Sequence, residues 1–383
     1  MMWNKKEIQR DQVRELSERY GIDLMSASVF CRRGVTDPED LKFYLEDDLR
    51  FLHNPFLFDE MEDAVDRILA AKDEGENLLV FGDRDADGIT STVLMVNALR
   101  DMGLSVNWVL PRGDEPYGLT REAVDRFAAQ DGTLIITVDC GISNLEEIRY
   151  AAEKGIDTIV VDHHNAPDEL PAAAAIINPK LSDSGYPFRD LAGCGVVSKV
   201  IWALRFAETE LYNQSLCLLH ARPGNDSVIV DAVKIVNLIE QDRISETLVP
   251  GIVSLEKTRL FKFLEGMEVL VYDGEVQKKL LRDVFGNRVE IGLIDMAPHI
   301  GRLFPAVAGM SLLAIREKSR LAKYAEKTPG EIDTLMTLFT SYSFKNQESA
   351  FKDYQADLDL VSLGTIADMM PLKIGRASCR ERV

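Results

Sequence analysis

The chain has 383 residues, 46% of them hydrophobic, enough to bury a sizeable core and to form two or three domains. Its formal charge of −19 argues against a broad nonspecific grip on nucleic acid. No run of about 18 apolar residues occurs, the polar start MMWNKKEIQRDQVREL lacks the apolar stretch of a secretory signal, and the five cysteines form no CxxC pair, so no membrane partner and a reduced, cytoplasmic setting are expected.

In chain order, residues 1–55 read as a small helical lead-in. From Met61, the apolar positions Met61, Val65, Ile68 and Leu69 recur at helical spacing. A regular alternation follows. LLVFGD is a strand and ITSTVLMVNALRDMG a helix; VNWVLP is a strand and TREAVDRFAAQ a helix. TLIITVD is a strand, SNLEEIRYAAEKG a helix, and DTIVVDHH a further strand before AAIINPK. Apolar strands alternating with amphipathic helices predict an α/β fold, a parallel sheet with helices on both faces, spanning 56–207. Ligands in such sheets collect at the carboxyl ends of the strands. The alternation then breaks for too long to be a loop, and SVIVDAVKIVN, MEVLVYD and VEIGLID supply strands of their own. Residues 208–350 are therefore expected to be an inserted α/β domain. LDLVSLGTIADMMPL reads as a strand-like run with a Gly-Thr turn, returning residues 351–373 to the first domain.

The acidic residues fall where apolar runs stop. GDRDADG places Asp83, Asp85 and Asp87 at alternate positions after a strand, and a turn can fold such carboxylates around a hard divalent cation. A calcium loop of the DxDxDG kind needs a Glu at its twelfth position, here Leu94, and a preceding helix instead of a strand. A solvated acidic turn remains the bland alternative. ITVDCGIS ends a strand in Asp139, a weak signal alone because many such aspartates only cap helices. VVDHHNAP is stronger, with Asp162 before the adjacent His163 and His164 in a chain of five histidines. One imidazole can ligate a metal while its neighbour addresses a phosphate or donates a proton. Aspartates and a histidine on strand ends can hold two metals that clamp phosphate oxygens and activate water. Cys140 and Cys194 lack a base for thiolate chemistry, and neither GxxxxGK[ST] nor GxGxxG occurs.

DRDADGITS, TVDCGIS, VVDHHNAPDELPAAAAIINPK and LDLVSLGTIADMMPL resemble, in order, four motifs of the DHH phosphoesterases, with spellings nearest the RecJ family. PRGDEPYGL and LAGCGVVSKV are similar to flanking RecJ segments. The resemblance implies a Mn²⁺- or Mg²⁺-dependent 5′-to-3′ exonuclease on single-stranded DNA in recombination and repair, with a helicase or single-strand-binding protein as its companion. It implies Asp85, Asp87, Asp139, His163 and Asp359 as metal ligands, Asp83 at or just behind the metals, and His164 on the phosphate or leaving group. Asp162 then orients a histidine, and Asp368 is the second choice beside Asp359. Arg84 stands where the family commonly has an aromatic, and Pro116 where a Gly is usual before Tyr117-Gly118. Two other readings stay open: a DHH phosphodiesterase on short oligonucleotides, a phosphorylated nucleotide or cyclic dinucleotides, and a non-catalytic repair scaffold.

Within the insertion, SVIVDAVKIVNLIEQDRISETLVPG and VEIGLIDMAPHIGRLFPAVAGMSLLAI resemble DnaQ-like exonucleases. SLCLLHARPGND lacks the paired carboxylates of that family, and Gln277 stands where a further aspartate is expected. This implies a degenerate exonuclease-like domain; an unrelated α/β insertion is the alternative. Residues 374–383, IGRASCRERV, break from the acidic sequence before them and read as the translation of a sequencing adaptor, a non-native tail. Family members are expected to continue past Lys373 into a DHH-associated domain and an oligonucleotide-binding domain, which supply basic and aromatic DNA-holding surface.

Overall fold

A computed structural model describes residues 7–46, 52–113, 115–286, 291–319, 323–325 and 328–370. The adaptor-like segment 374–383 and Cys379 lie outside the described residues. Among the described residues the chain divides into two compact units, one of residues 52–214 with 347–370, the other of residues 7–46 with 215–346.

Three helices open the chain: α1 (Arg10–Tyr20), α2 (Leu24–Arg33) and α3 (Pro38–Leu45). Their apolar faces share a small core, Val13, Leu16, Ala27 and Leu41, with Tyr324 of the same unit, whose ring stacks on Tyr20 at 5.4 Å.

The other unit starts at α4 (Met61–Glu74) and runs β1 (Asn77–Gly82), α5 (Ala86–Asp101), β2 (Ser105–Val109), α6 (Arg121–Ala128), β3 (Gly132–Val138), α7 (Leu145–Glu153), β4 (Asp157–Val161), β5 (Ala175–Ile177) and α8 (Gly193–Ala207). The five strands pair in parallel in the order β2-β1-β3-β4-β5. Alternate side chains cover opposite faces. Leu79, Phe81, Ile135 and Val160 pack under α6 and α7, while α4, α5 and α8 cover the face that buries Leu78, Val80, Ile136 and Val161. This is the α/β sheet expected from the sequence. Consecutive strands β1 and β2 lie side by side, and β3 returns on the far side of β1, so a crevice opens between the ends of β1 and β3.

In the second unit, β6 (Leu216–Pro223), β7 (Val228–Val236) and β8 (Ile239–Leu248) form an antiparallel meander. After α9 (Arg259–Leu264) come β9 (Glu268–Val271), α10 (Gly274–Phe285), β10 (Leu293–Asp295), α11 (Ala297–Leu303), α12 (Leu312–Lys318) and α13 (Glu331–Asn346). Strands β9 and β10 join in parallel, giving the order β10-β9-β6-β7-β8. Gln277 of α10 takes the place of a neighbouring strand at Ala221, accepting its N–H at 2.6 Å and donating to its carbonyl at 3.2 Å.

The chain re-enters the first unit as α14 (Glu348–Ala367). The strand-like run with a Gly-Thr turn is corrected here: Leu358, Val361, Ser362 and Thr365 are buried at helical spacing, and Gly364-Thr365 lies inside the helix. Packing against α5 and α8 overrides the β-branched composition that suggested a strand.

Candidate metal centre

The parallel register aligns the catalytic candidates. Gly82 pairs with Val138 and Val138 with Val161, so Asp83, Asp139 and Asp162 each come one residue beyond a matched row. Asp139 N donates to Val161 O and Asp162 N to Ile177 O, each at the strand end. Asp139 then turns out of its strand at φ 58°, a left-handed conformation that Asp tolerates better than most residues.

Asp85 caps α5, its Oδ1 accepting from Gly88 N at 2.9 Å. Gly88 is required because a Cβ there would lie 2.7 Å from Asp83 Cα. Asp87, almost wholly buried, accepts from Gly193 N at 2.7 Å and Cys194 N at 2.9 Å, the first amides of α8. The positive end of that helix stabilises its charge.

His163 is oriented from behind. Its Nδ1 lies 3.0 Å from Leu191 O, and a carbonyl can only accept, so Nδ1 carries the proton. In the neutral ring Nε2 therefore presents a bare lone pair, 3.2 Å from Asp139 Oδ1, 3.8 Å from Asp368 Oδ2 and 3.9 Å from Asp87 Oδ2. Asp139 Oδ1 and Asp368 Oδ2 are buried with no hydrogen-bond partner among the described residues; the 3.2 Å approach of His163 lacks hydrogen-bond geometry. Burial, followed by the charges of Asp87 and Asp85, pushes the Asp139 carboxyl up to about 9. Asp368 is raised as well, by burial against the partial relief of His163.

Asp162 behaves differently. Its Oδ1 accepts from His163 N, His164 N and His164 Nδ1 at 2.6–3.0 Å, and its Oδ2 from Ile142 N at 3.0 Å. Burial opposes its ionisation, yet the His164 hydrogen bond and charge leave it below the usual carboxylate range. The same bond raises the His164 imidazole above its ordinary value against burial. With Nδ1–H committed to Asp162, Nε2 of the half-buried His164 is the nitrogen available to an incoming group.

Three sets bring their ligand atoms within 4.8 Å of one another: Asp83, Asp85 and Asp139; Asp87, His163 and Asp368; and Asp139, His163 and His164. Oxygen-rich donors with one or two imidazoles suit hard or borderline divalent cations, and unpartnered buried carboxylate oxygens fit a cation better than any protein donor present. Six of the sequence candidates, Asp83, Asp85, Asp87, Asp139, His163 and His164, thus converge, with Asp162 behind them. Asp359 does not join them; Asp368 at the end of the same helix stands beside Asp87 and His163 instead. Nine residues separate the two, about 13 Å and half a revolution of helix, which leaves Asp359 on an exposed face of α14. Gly364 allows the approach: a Cβ there would stand 2.8 Å from both Asp87 Oδ1 and Cys194 Sγ.

Sequence reasoning also missed Tyr117 as a site residue. Its hydroxyl donates to Asp139 O at 3.3 Å, and its ring stands edge-on to His164 at 6.0 Å. Gly118 beside it takes φ 80° and packs on Asn144, which bonds both the N–H and the carbonyl of Leu119. The Tyr-Gly pair in PYGL carried that signal.

Residues 77–221, which hold the parallel sheet with the aspartates and the His pair at its switch point, match the DHH family, N-terminal domain. The chain is 31% identical over 339 residues to the single-stranded-DNA-specific exonuclease RecJ of Bacillus subtilis (strain 168), covering 88% of this chain and 40% of that protein. It is 41% identical over 179 residues to the RecJ of Escherichia coli (strain K12), covering 46% of this chain and 30% of that one. Among solved structures, RecJ from Thermus thermophilus in complex with Mn²⁺ aligns at 28% identity and a TM-score of 0.41, over 51% of this chain and 27% of that chain. The chain thus spans 30–40% of the length of these two curated relatives.

Proposed function

We propose that this chain carries the catalytic core of a metal-dependent 5′-to-3′ exonuclease that acts on single-stranded DNA in recombination and repair. The observation that supports it most is the pair of unpartnered buried oxygens, Asp139 Oδ1 and Asp368 Oδ2, facing the free Nε2 of His163. Asp83, Asp85 and Asp139 are suited to hold one Mn²⁺ or Mg²⁺, and Asp87, His163 and Asp368 a second. Bound there, such cations supply Lewis acidity for water attack on a phosphodiester and offset the carboxylate charge. The protein's own contribution is to hold Asp87 on the α8 amides, keep His163 in the Nδ1–H form and exclude water behind the sheet ends. His164, kept basic by Asp162, is placed to bind the phosphate or to give its Nε2 proton to the leaving oxygen. A cytoplasmic setting belongs to the same proposal; no helix among the described residues is long and apolar enough to cross a membrane.

Strands labelled at the 5′ or 3′ end and incubated with Mn²⁺ test this directly. Release of mononucleotides from the 5′ end is expected, and its loss in Asp139→Ala and His163→Ala. Hydrolysis of short oligonucleotides or cyclic dinucleotides alone would change the substrate class, and activity retained by either variant would dismiss the site. For the expected insertion, residues 208–350, a degenerate exonuclease-like domain is supported by the mixed sheet of β6 to β10 and by the neutral Gln277 sealed onto β6. Cation-dependent nuclease activity surviving in Asp139→Ala and traced to that insertion would contradict it.

A further inference from the structure

The metal-binding turn contains one cation of its own. Arg84 lies between Asp83 and Asp85, and its backbone N–H donates to Asp83 Oδ1 at 2.7 Å. Its guanidinium reaches away from the carboxylates into the loop between β2 and α6. Nη1 donates to Gly113 O at 2.5 Å and lies 3.4 Å from Glu115 O. The loop is braced internally by Glu115 N to Arg112 O at 3.1 Å and by Arg112 N to Glu115 Oε2 at 2.8 Å. Two residues beyond Glu115 comes Tyr117, whose hydroxyl bonds the carbonyl of Asp139 and lies 3.4 Å from His164 Nδ1. Asn144 fastens the far end of the same loop through Leu119. Tyr117 is therefore held from both sides, by a charged side chain of the metal-binding turn and by an amide at the start of α7.

We propose that Arg84 is a positioning residue: it ties Gly113 and Glu115 to the metal-binding turn and so sets the half-exposed Tyr117 ring edge-on to His164 before substrate arrives. A guanidinium suits this because several planar donors can engage two carbonyls at once, which an ammonium on a flexible stem does less well. Placing the arginine head on carbonyls also leaves the charge of the turn available to cations, since no guanidinium bond goes to Asp83, Asp85 or Asp87 among the described residues. As far as catalysis goes, the proposal rests on the exonuclease reading; the clamp itself does not.

The test compares the whole chain with its Arg84→Met and Arg84→Lys variants. Without DNA or cation, the amides of Gly113, Glu115, Tyr117, Gly118 and Leu119 should exchange hydrogen about fivefold faster in Arg84→Met and less so in Arg84→Lys, with an unchanged melting temperature. Mn²⁺ affinity should stay within about twofold, because no ligand is removed. On single-stranded DNA, kcat should fall about tenfold while KM moves little, as expected when a catalytic group is misplaced and substrate binding stays intact. Unchanged loop exchange in Arg84→Met overturns the clamp. So does a rise in KM with a salt dependence shallower by about one unit, the mark of a direct phosphate contact. If the unaltered chain cuts no DNA, the exonuclease reading fails, and the exchange measurement still decides the clamp.

Discussion

Substituting Gly364→Ala separates the stability of α14 from what that helix delivers to the metal centre. The new Cβ would lie 2.8 Å from Asp87 Oδ1 and from Cys194 Sγ, and closer still to Thr90 Oγ1. None of these atoms yields easily. Asp87 is bonded to two amides of α8, Cys194 Sγ approaches Val361 O at 3.2 Å, and Thr90 Oγ1 bonds Ala86 O at 2.9 Å. Restoring ordinary carbon contacts near 3.5–4.0 Å requires α14 to retreat by about 1 Å. Overpacking of this kind costs about 1–3 kcal/mol, and Ala gains about 1 kcal/mol over Gly in a helix, so the metal-free protein should lose only about 0–2 kcal/mol. Asp368 follows one turn later and inherits the displacement, for which about 100-fold in rate is a reasonable scale. Urea melts in chelator, Mn²⁺ titration calorimetry and hydrolysis rates would be measured together, with the exposed Leu363→Ala as control. A Gly364→Ala protein that binds Mn²⁺ and cuts as well as the parent refutes the packing argument.

Asp368→Asn should weaken Mn²⁺ binding about 10–100-fold, whereas Asp359→Asn should leave it within about twofold; calorimetry giving the reverse order would return the ligand to Asp359. Metal-free protein should lose stability as pH rises. The folded Asp139 carboxyl titrates near 9, against about 3.8 when unfolded, so the folded state holds the extra proton across that window and its advantage fades on approaching pH 9. Thermal melts in chelator should show this slope, Asp139→Asn should flatten it, and Mn²⁺ should stabilise the parent most at the alkaline end; a slope identical in parent and variant would remove Asp139 as its source.

The parallel sheet was legible because its strands, buried on both faces, read as continuous apolar runs, each followed by an amphipathic helix. β8 carries Glu240, Gln241, Asp242 and Arg243 in a row and forms an edge, so little apolar alternation marks it, and only the resemblance of its segment to an opening hairpin points to it. α14 was mistaken for a strand because a Gly-Thr pair amid β-branched residues carries local signals that tertiary packing overrules. Its true period lies in Leu358, Val361, Ser362 and Thr365, visible once a partner surface is known.

The site divides along the same line. Asp83, Asp139 and Asp162 could be placed in the sequence because parallel register puts the residue after each strand on one row. The choice between Asp359 and Asp368 could not be made that way, since a helix presents both only after its rotation about α5 and α8 is set. Gly364 sets that rotation, because there α14 comes close enough to touch Asp87 and the first turn of α8. A motif whose carboxylate sits one turn beyond a glycine is therefore better read as a close helix approach that delivers the carboxylate than as a turn with ligands on either side. On that rule LGTIAD selects Asp368 from sequence alone, because the residue four places after Gly364 shares its face of the helix and Asp359 does not.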